Sequence, residues 1–425
     1  MPTYKAIRIR INKNNRHHKW CCTICSEARS FIDQATYIRR QAFFEGQKTG
    51  TYRPEKELSQ EFRNGIDKSR LGHTQITTNI WNKTKSAWNS FHSSLKKKLK
   101  PKLPNYLKRK GLKYGTIEYT LGQNNSPARI KDGYIHFNGT HKNKIKFNHR
   151  IDGTPKTISI NNKNGSFWIT INYKTEETYN KNDPTNIASI DIGINNLLTI
   201  TFNNGHQPVI ISGNELKSIN QFYNKKKAEL QSSLPTGKHW SNRLDKLTEK
   251  RNLKILNIKH NLSKRIAKLL NRYCIGTLVI GWNVGFKSSV NIGSSNNQKF
   301  VSIPHRGIVE CLKRNCQSFL EVVETEESYT SKASFFDQDE IPVYVKDSIS
   351  NHRFSGKRIK RGLYKTLAGV LVNADVNGSY NIMRKVFPNV IRDNKHGIEG
   401  FTVDPVRIRN SNELDYILHT VAHAS

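Results

Sequence analysis

One stretch constrains this chain more than any other. Residues 186–212, NIASIDIGINNLLTITFNNGHQPVIIS, place apolar runs on both sides of the short turn GINN and a third run after NNG. Runs of this kind, bounded by Asn and Gly, read as successive β-strands. Asp191 lies inside the first run. A carboxylate there is costly unless it is paired or binds a metal ion. Gly193 follows and leaves the backbone bare where a phosphate could approach. The alternative reading is an edge-strand Asp that caps the GINN turn.

The sequence around this stretch alternates between helix and strand patterns. A long helical stretch covers 215–273 and breaks at LPTGK (234–238). In its second arm Leu244, Leu247, Ile255, Ile258, Leu262, Ile266 and Leu269 form one apolar stripe. LPTGKHW is not a phosphate loop, because Ser232 stands where the first glycine belongs and His239 follows Lys238. An apolar strand (276–282), a helix near 304–316 and a strand at 318–323 come next. A basic segment (353–365) and the run NADVNGSYNIMRKVF (373–387) close this part, and 389–425 read as an irregular tail. Upstream, 3–13 alternate as a strand, 17–100 turn helical, and 117–175 hold short strands ending in Asn or Gly turns. The first strand and these later ones are expected to form one β domain, with the helices inserted into it.

The chain has 425 residues, with 70 Lys and Arg against 33 Asp and Glu, for a net charge of +37. Nucleic acid or an anionic membrane surface could use such charge. It is spread over the whole length rather than held on one amphipathic helix, which favours nucleic acid. Lys96, Lys97, Lys98, Lys108 and Arg109 crowd one candidate contact segment, with Tyr106 and Tyr114 interleaved. Lys357, Arg358, Lys360 and Arg361 form a second. Mean hydropathy is −0.68, and the longest nearly apolar run (274–286) is too short to span a bilayer. The charged start has no apolar signal core, and the six cysteines are too unevenly placed for a disulfide framework. A reducing cytoplasm is expected. Cys22 and Cys25, with His17 and His18, could supply part of a zinc site. No second pair follows at finger or ribbon spacing, so buried thiols on a helix are the expectation.

In so basic a chain the acids are informative. Two-metal nucleases hold two Mg²⁺ ions about 4 Å apart, which takes at least three converging carboxylates. Asp191 is one candidate. Asp375 is a second, although an Asp there is also an ordinary helix N-cap. A calcium loop is excluded because Tyr380 stands where glycine is needed. The third acid must come from elsewhere, and ETEESYTSKASFFDQDE holds Glu324, Glu326, Glu327, Asp337, Asp339 and Glu340. A solvated acidic loop is its default reading, but a loop at the end of a sheet strand is well placed for a metal ligand.

The order of these segments resembles the TnpB family, RNA-guided endonucleases of bacterial insertion sequences that are similar to the ancestors of type V CRISPR effectors. IASIDIGINNLLTI (187–200) resembles the first RuvC motif, ESYTSKAS (327–334) the Y-T-S segment, and NADVNGSYNI (373–382) the third RuvC motif. The resemblance implies an α+β multidomain protein. A β-barrel wedge (1–185) would carry a helical recognition lobe inserted at about 15–115. An RNase-H-like (RuvC) α/β nuclease domain (186–388) would follow, with helical arms 215–273 and a target-binding insertion at about 328–372, then a C-terminal tail (389–425). It also implies a guide RNA, a double-stranded DNA target, two Mg²⁺ ions and DNA cleavage beside a short flanking motif, with no membrane partner.

Two departures stand out. The family's second motif ends a strand with Glu, but here LVIGWN puts Gly281 at that place. The family's four-Cys zinc ribbon has Ser334 and Asp337 at its first pair and no Cys in 365–368, so zinc is not expected in the insertion. The missing Glu leaves opposed readings. The site is relocated, with Glu327 or alternatively Glu326 joining Asp191 and Asp375 as catalytic metal ligands. Or the chain is a nuclease-dead, RNA-guided DNA-binding repressor. A transposition-associated RNA- and DNA-binding protein without a guide is the third possibility.

Overall fold

The structure is a computed structural model. It describes every residue except 1, 98, 108–112, 123–125, 140–141, 177–180, 283–302, 344–351, 361, 395–400 and 421–425. Lys98, Lys108, Arg109 and Arg361 therefore lie outside the described residues. The chain divides into two compact units, 1–177 and 178–425. Among the described residues no helix is long and apolar enough to cross a membrane.

The first unit begins with strand β1 (Pro2–Ile11), followed by helices α1 (His18–Thr49), α2 (Glu55–Asn64) and α3 (Thr74–Lys96). Strands β2 (Ile117–Thr120), β3 (Ala128–Lys131), β4 (Tyr134–Phe137), β5 (Asn143–Lys146), β6 (Thr154–Lys163) and β7 (Ser166–Glu176) come after them. The helices thus interrupt the sheet in sequence: β1 pairs with β7 in the order β1-β7-β6-β2, and β3-β4-β5 form a second sheet. The β6–β7 turn places Asn164 at φ 51° and Gly165 at φ 80°. Both positive angles match the tight hairpin turn that follows the strands' own twist. Phe167, Ile169 and Ile171 alternate into a core shared with Cys21, Ile24, Cys25, Ala28 and Phe31 of α1. Cys21 and Cys25 are thus core residues, and burial pushes the Cys21 thiol up to about 12. Cys22 accepts a hydrogen bond from the Tyr114 hydroxyl at 3.3 Å and lies 3.6 Å from His18 Nδ1.

The second unit is built on one sheet. Its elements are β8 (Ile187–Ile192), β9 (Asn196–Phe202), β10 (Val209–Ser212), α4 (Asn214–Ser232), α5 (Asn242–Arg272), β11 (Thr277–Gly281), α6 (His305–Cys316) and β12 (Glu321–Thr325). Then come β13 (Lys357–Lys360), β14 (Leu363–Lys365), β15 (Leu371–Asn373), α7 (Ala374–Val386), β16 (Val406–Ile408) and α8 (Glu413–Thr420). The strand order is β12-β11-β8-β9-β10-β16. β8, β9 and β10 form an antiparallel meander, and β11 and β12 run parallel to β8. This is the RNase-H-like order of three antiparallel and two parallel strands, extended at one edge by β16.

Alternation along the strands assigns residues to faces. Ala188, Ile190, Leu278 and Ile280 pack with α5 and α6. Ile187, Ile210 and Val279 pack with Val376, Tyr380 and Met383 of α7. Asp191 shares the parity of Ile187, and Gly281 that of Val279, so both belong to the α7 face.

Two expectations are corrected. The described part of 389–425 is not an irregular tail throughout, since it holds a strand and a helix. β16 pairs in parallel with β10, with Arg407 opposite Ile210, and α8 is tied to α5 by an Arg265–Asp415 ion pair at 2.8 Å. A strand of three residues and a helix of eight are too short to show a period. The strand expected at 318–323 is β12, which starts three residues later and ends two later, because Phe319 and Leu320 close the turn after α6.

Candidate active site

Asp191 sits near the end of β8, which lies between β11 and β9. It is therefore on a central strand, and the reading of an edge-strand Asp capping a turn falls. Gly193 has a different role from the one expected: a Cβ there would lie 2.4 Å from the Asn196 carbonyl oxygen. The glycine is needed to close the turn. Beneath Asp191 the face is small and polar. Ser189 donates to the Ser379 carbonyl at 2.6 Å, and the Ser379 and Thr201 hydroxyls are 3.0 Å apart. These small buried residues let α7 approach closely. A Cβ on Gly378 would stand 3.4 Å from Asp191 Oδ2.

Asp375 is the second residue of α7, not its cap. The cap is Asn373, whose side chain accepts from the backbone N–H of Asp375 at 3.0 Å and of Val376 at 3.2 Å. This leaves the Asp375 carboxylate available at a helix N-terminus, where negative charge is favoured. Asn196 Nδ2 donates to its Oδ2 at 2.5 Å, and Arg358 Nη2 lies 3.5 Å from Oδ1.

The acids between 324 and 340 separate by their contacts. Glu324 pairs with Lys313 and with Arg306, the latter at 3.0 Å. Glu326 pairs with Lys385 and accepts from Ser328 N at 2.7 Å. Asp337 accepts from Ser334 Oγ at 2.5 Å and Leu367 N at 2.8 Å. Asp339 accepts from Ser334 N at 2.7 Å and Ser355 N at 3.2 Å. Asp337 and Asp339 thus tie together the segments in which the zinc ribbon would lie. Glu327 turns the other way, toward β11. Its Oε2 lies 3.4 Å from the point a Cβ on Gly281 would occupy, and Ile382 Cδ1 lies 2.5 Å from that point. Asn377 and Asn381 of α7 hold this loop, donating to the Ala333 carbonyl at 2.8 and 2.7 Å, and Asn381 also to the Thr330 carbonyl at 3.0 Å.

The electrostatics reflect this grouping. Burial, then the charges of Glu327 and Asp375, push the Asp191 carboxyl up to about 8. Burial pushes Glu327 up to about 7. A cation between them would relieve both shifts. Among the described residues no three His, Cys, Asp or Glu side chains form a group able to hold a metal ion. The fit to a divalent ion rests on the donor chemistry: hard carboxylate oxygens, with Asp191 buried beside two other acids.

A cavity of about 720 Å³ opens beside the acids, lined by Asp191, Asp375, Asn196, Arg358, Lys360 and Arg407 among others. Glu327 is outside this lining. Lys357, Arg358 and Lys360 are exposed along β13, and Lys96 and Lys97 are exposed at the end of α3 in the other unit. Sequence reading missed Asn196, Asn377, Asn381 and Arg407. The polar pair Asn377 and Asn381, four residues apart on an apolar helix face, was a usable signal; Arg407 carried none.

Comparison with known proteins gives consistent results. The family described as OrfB_IS605, probable transposase, matches residues 170–286. TnpB-like protein ORF457 of Acidianus two-tailed virus is 24% identical over 433 residues, covering 89% of this chain and 85% of the relative. A chain of the solved Cas12f1–sgRNA–target DNA complex aligns with a TM-score of 0.51 at 14% identity, over 85% of this chain and 81% of that one. That is a likeness of fold. A CRISPR–Cas12f ternary complex aligns with a TM-score of 0.34 at 13% identity, over 86% of this chain and 80% of that one. The chain is thus similar over 170–286 to the OrfB_IS605 family and over most of its length to a TnpB-like viral protein, and its fold is like that of a Cas12f1 chain.

Proposed function

We propose that this chain is an RNA-guided DNA endonuclease of the TnpB type, a RuvC-like hydrolase whose metal ligands are Asp191, Glu327 and Asp375. The observation that carries the reading is the Glu327 carboxylate seated against Gly281. The acid lost from the end of β11 is supplied by the neighbouring chain segment, in the same space. Glu326 is engaged by Lys385, which favours Glu327 as the third ligand.

Mg²⁺ bound by these acids would supply the Lewis acidity for attack of water on a DNA phosphodiester. The chain's own contribution is placement. Asn196 fixes the Asp375 carboxylate, Asn377 and Asn381 hold the loop carrying Glu327, and close packing of Gly378 keeps α7 near Asp191. Base pairing with a guide RNA would provide sequence specificity, and the chain's positive charge would hold the heteroduplex by its backbone.

The test is cleavage of a plasmid bearing a matched target by the purified protein with its native RNA. Mg²⁺-dependent cleavage is expected, abolished by Asp191→Ala with RNA binding retained. Matched binding without cleavage by the unaltered protein would make it a guided repressor. Copurification of bulk RNA with no single guide species would remove guidance altogether.

A further inference from the structure

We propose that Arg407, together with Lys360, positions the DNA strand at this site by holding phosphates that flank the one being cut. The proposal rests on the endonuclease reading above and adds a residue from the C-terminal strand to its machinery. Both side chains line the same cavity as Asp191 and Asp375. They reach it from separate elements, Arg407 from β16 and Lys360 from β13.

The backbone dictates where Arg407 points. Ile408 is buried in the core on the α5 face, and Val406 packs against it. Arg407, between them, takes the opposite face. Its register partner is Ile210, which packs with α7 on the face that carries Asp191. A parallel ladder of three residues thus aims a guanidinium at the acid-bearing cavity.

The charges there are unbalanced in a particular way. Arg358 is the cation that meets an acid, at 3.5 Å from Asp375. Arg407 and Lys360 are exposed, and neither side chain has a hydrogen bond or ion pair among the described residues. Cations that stay off adjacent carboxylates are placed for an anion that enters from outside. A nucleic-acid strand offers a row of them. Its scissile phosphate belongs with the acids, so cations at the cavity wall suit its neighbours. Arginine can meet phosphate oxygens with two parallel N–H donors, which fixes orientation as well as charge.

The experiment compares Arg407→Ala, Lys360→Ala and the double variant with the unaltered protein and its native RNA, on targets carrying single methylphosphonates near the cut. Each Ala variant is expected to lose about tenfold or more in single-turnover cleavage, the scale of a charge-assisted hydrogen bond. Guide-RNA affinity and melting temperature should not change, and Arg407→Lys should recover part of the loss. At one flanking position the methylphosphonate should slow the unaltered protein but not slow Arg407→Ala further. A residue that merely supports the fold would show losses that multiply at every position. Multiplying losses, or an Arg407→Ala/Lys360→Ala protein that cleaves at the unaltered rate, overturn the proposal while leaving the endonuclease reading intact. An unaltered protein that binds matched DNA but does not cleave it overturns both.

Discussion

β8 and β11 run side by side and in parallel, with Ile190 opposite Ile280. The next residue in each is the informative one: Asp191 in β8, Gly281 in β11. β8 supplies its acid directly. β11 supplies no side chain; Ile382 crowds its Cβ position and Glu327 reaches the same space from two residues beyond β12. On the proposed reading, the requirement is for a carboxylate at a place, not at a sequence position. A parallel neighbour whose end lies level with β11, with Thr325 opposite Gly281, can meet it from the side.

The sharpest way to break this comparison is to remove the two acids separately. Glu327→Ala is expected to lower plasmid cleavage by about 10³-fold or more, as Asp191→Ala should. Glu326→Ala should stay within about threefold, since that carboxylate is already engaged by Lys385. Equal losses at 326 and 327 would remove the relocation argument.

A next test moves the acid back. Gly281→Glu combined with Glu327→Ala should not restore cleavage, because Ile382 occupies the path of any side chain at 281. Adding Ile382→Ala should restore part of it. Gly281→Ala alone should cost about 1–3 kcal/mol in denaturant unfolding, the usual scale for overpacking a core. A neutral Gly281→Ala would show that Ile382 yields and that glycine is not required there.

The asymmetry also has a pH signature in the metal-free protein. Asp191 and Glu327 have folded-state pKa values of about 8 and about 7, raised above those of an unfolded chain. The folded state therefore holds protons that the unfolded state releases. This contribution is fully present below about pH 4 and is lost as pH rises through 7 and 8. Asp191→Asn should melt about 5 °C above the unaltered protein at pH 8, and much less so at pH 5. Mg²⁺ should narrow the gap by raising the unaltered protein. The smallest effect is expected at Asn377→Ala, which leaves Phe335 N and the Ala333 carbonyl without one partner each. It should cost about 1–3 kcal/mol and slow cleavage by loosening the Glu327 loop.

Much of this was legible in the residues. Asp191 stood out because period-two alternation and an apolar run place it in a strand, whatever lies next to it. The hairpin at Asn164-Gly165 was legible for the same local reason. Asp375 was legible as a helix-start acid, but its freedom depended on Asn373 taking the cap. The turn role of Gly193 depended on the carbonyl of Asn196 folding back over it. β16 and α8 escaped notice because a short element shows too few turns of its period.

What the sequence determined by itself was the charge balance, the kinds of elements and their order, and a short set of acids that a basic chain has little reason to place in strands and strand ends. Those properties follow from backbone geometry and from neighbours a few residues apart. Only the tertiary structure paired Glu326 with Lys385 and set Glu327 beside Gly281, filled the space at Gly281 with Ile382, and brought Arg407 to the cavity of Asp191. Each of those choices joins residues far apart in the chain, through packing on a shared sheet face that no local pattern encodes.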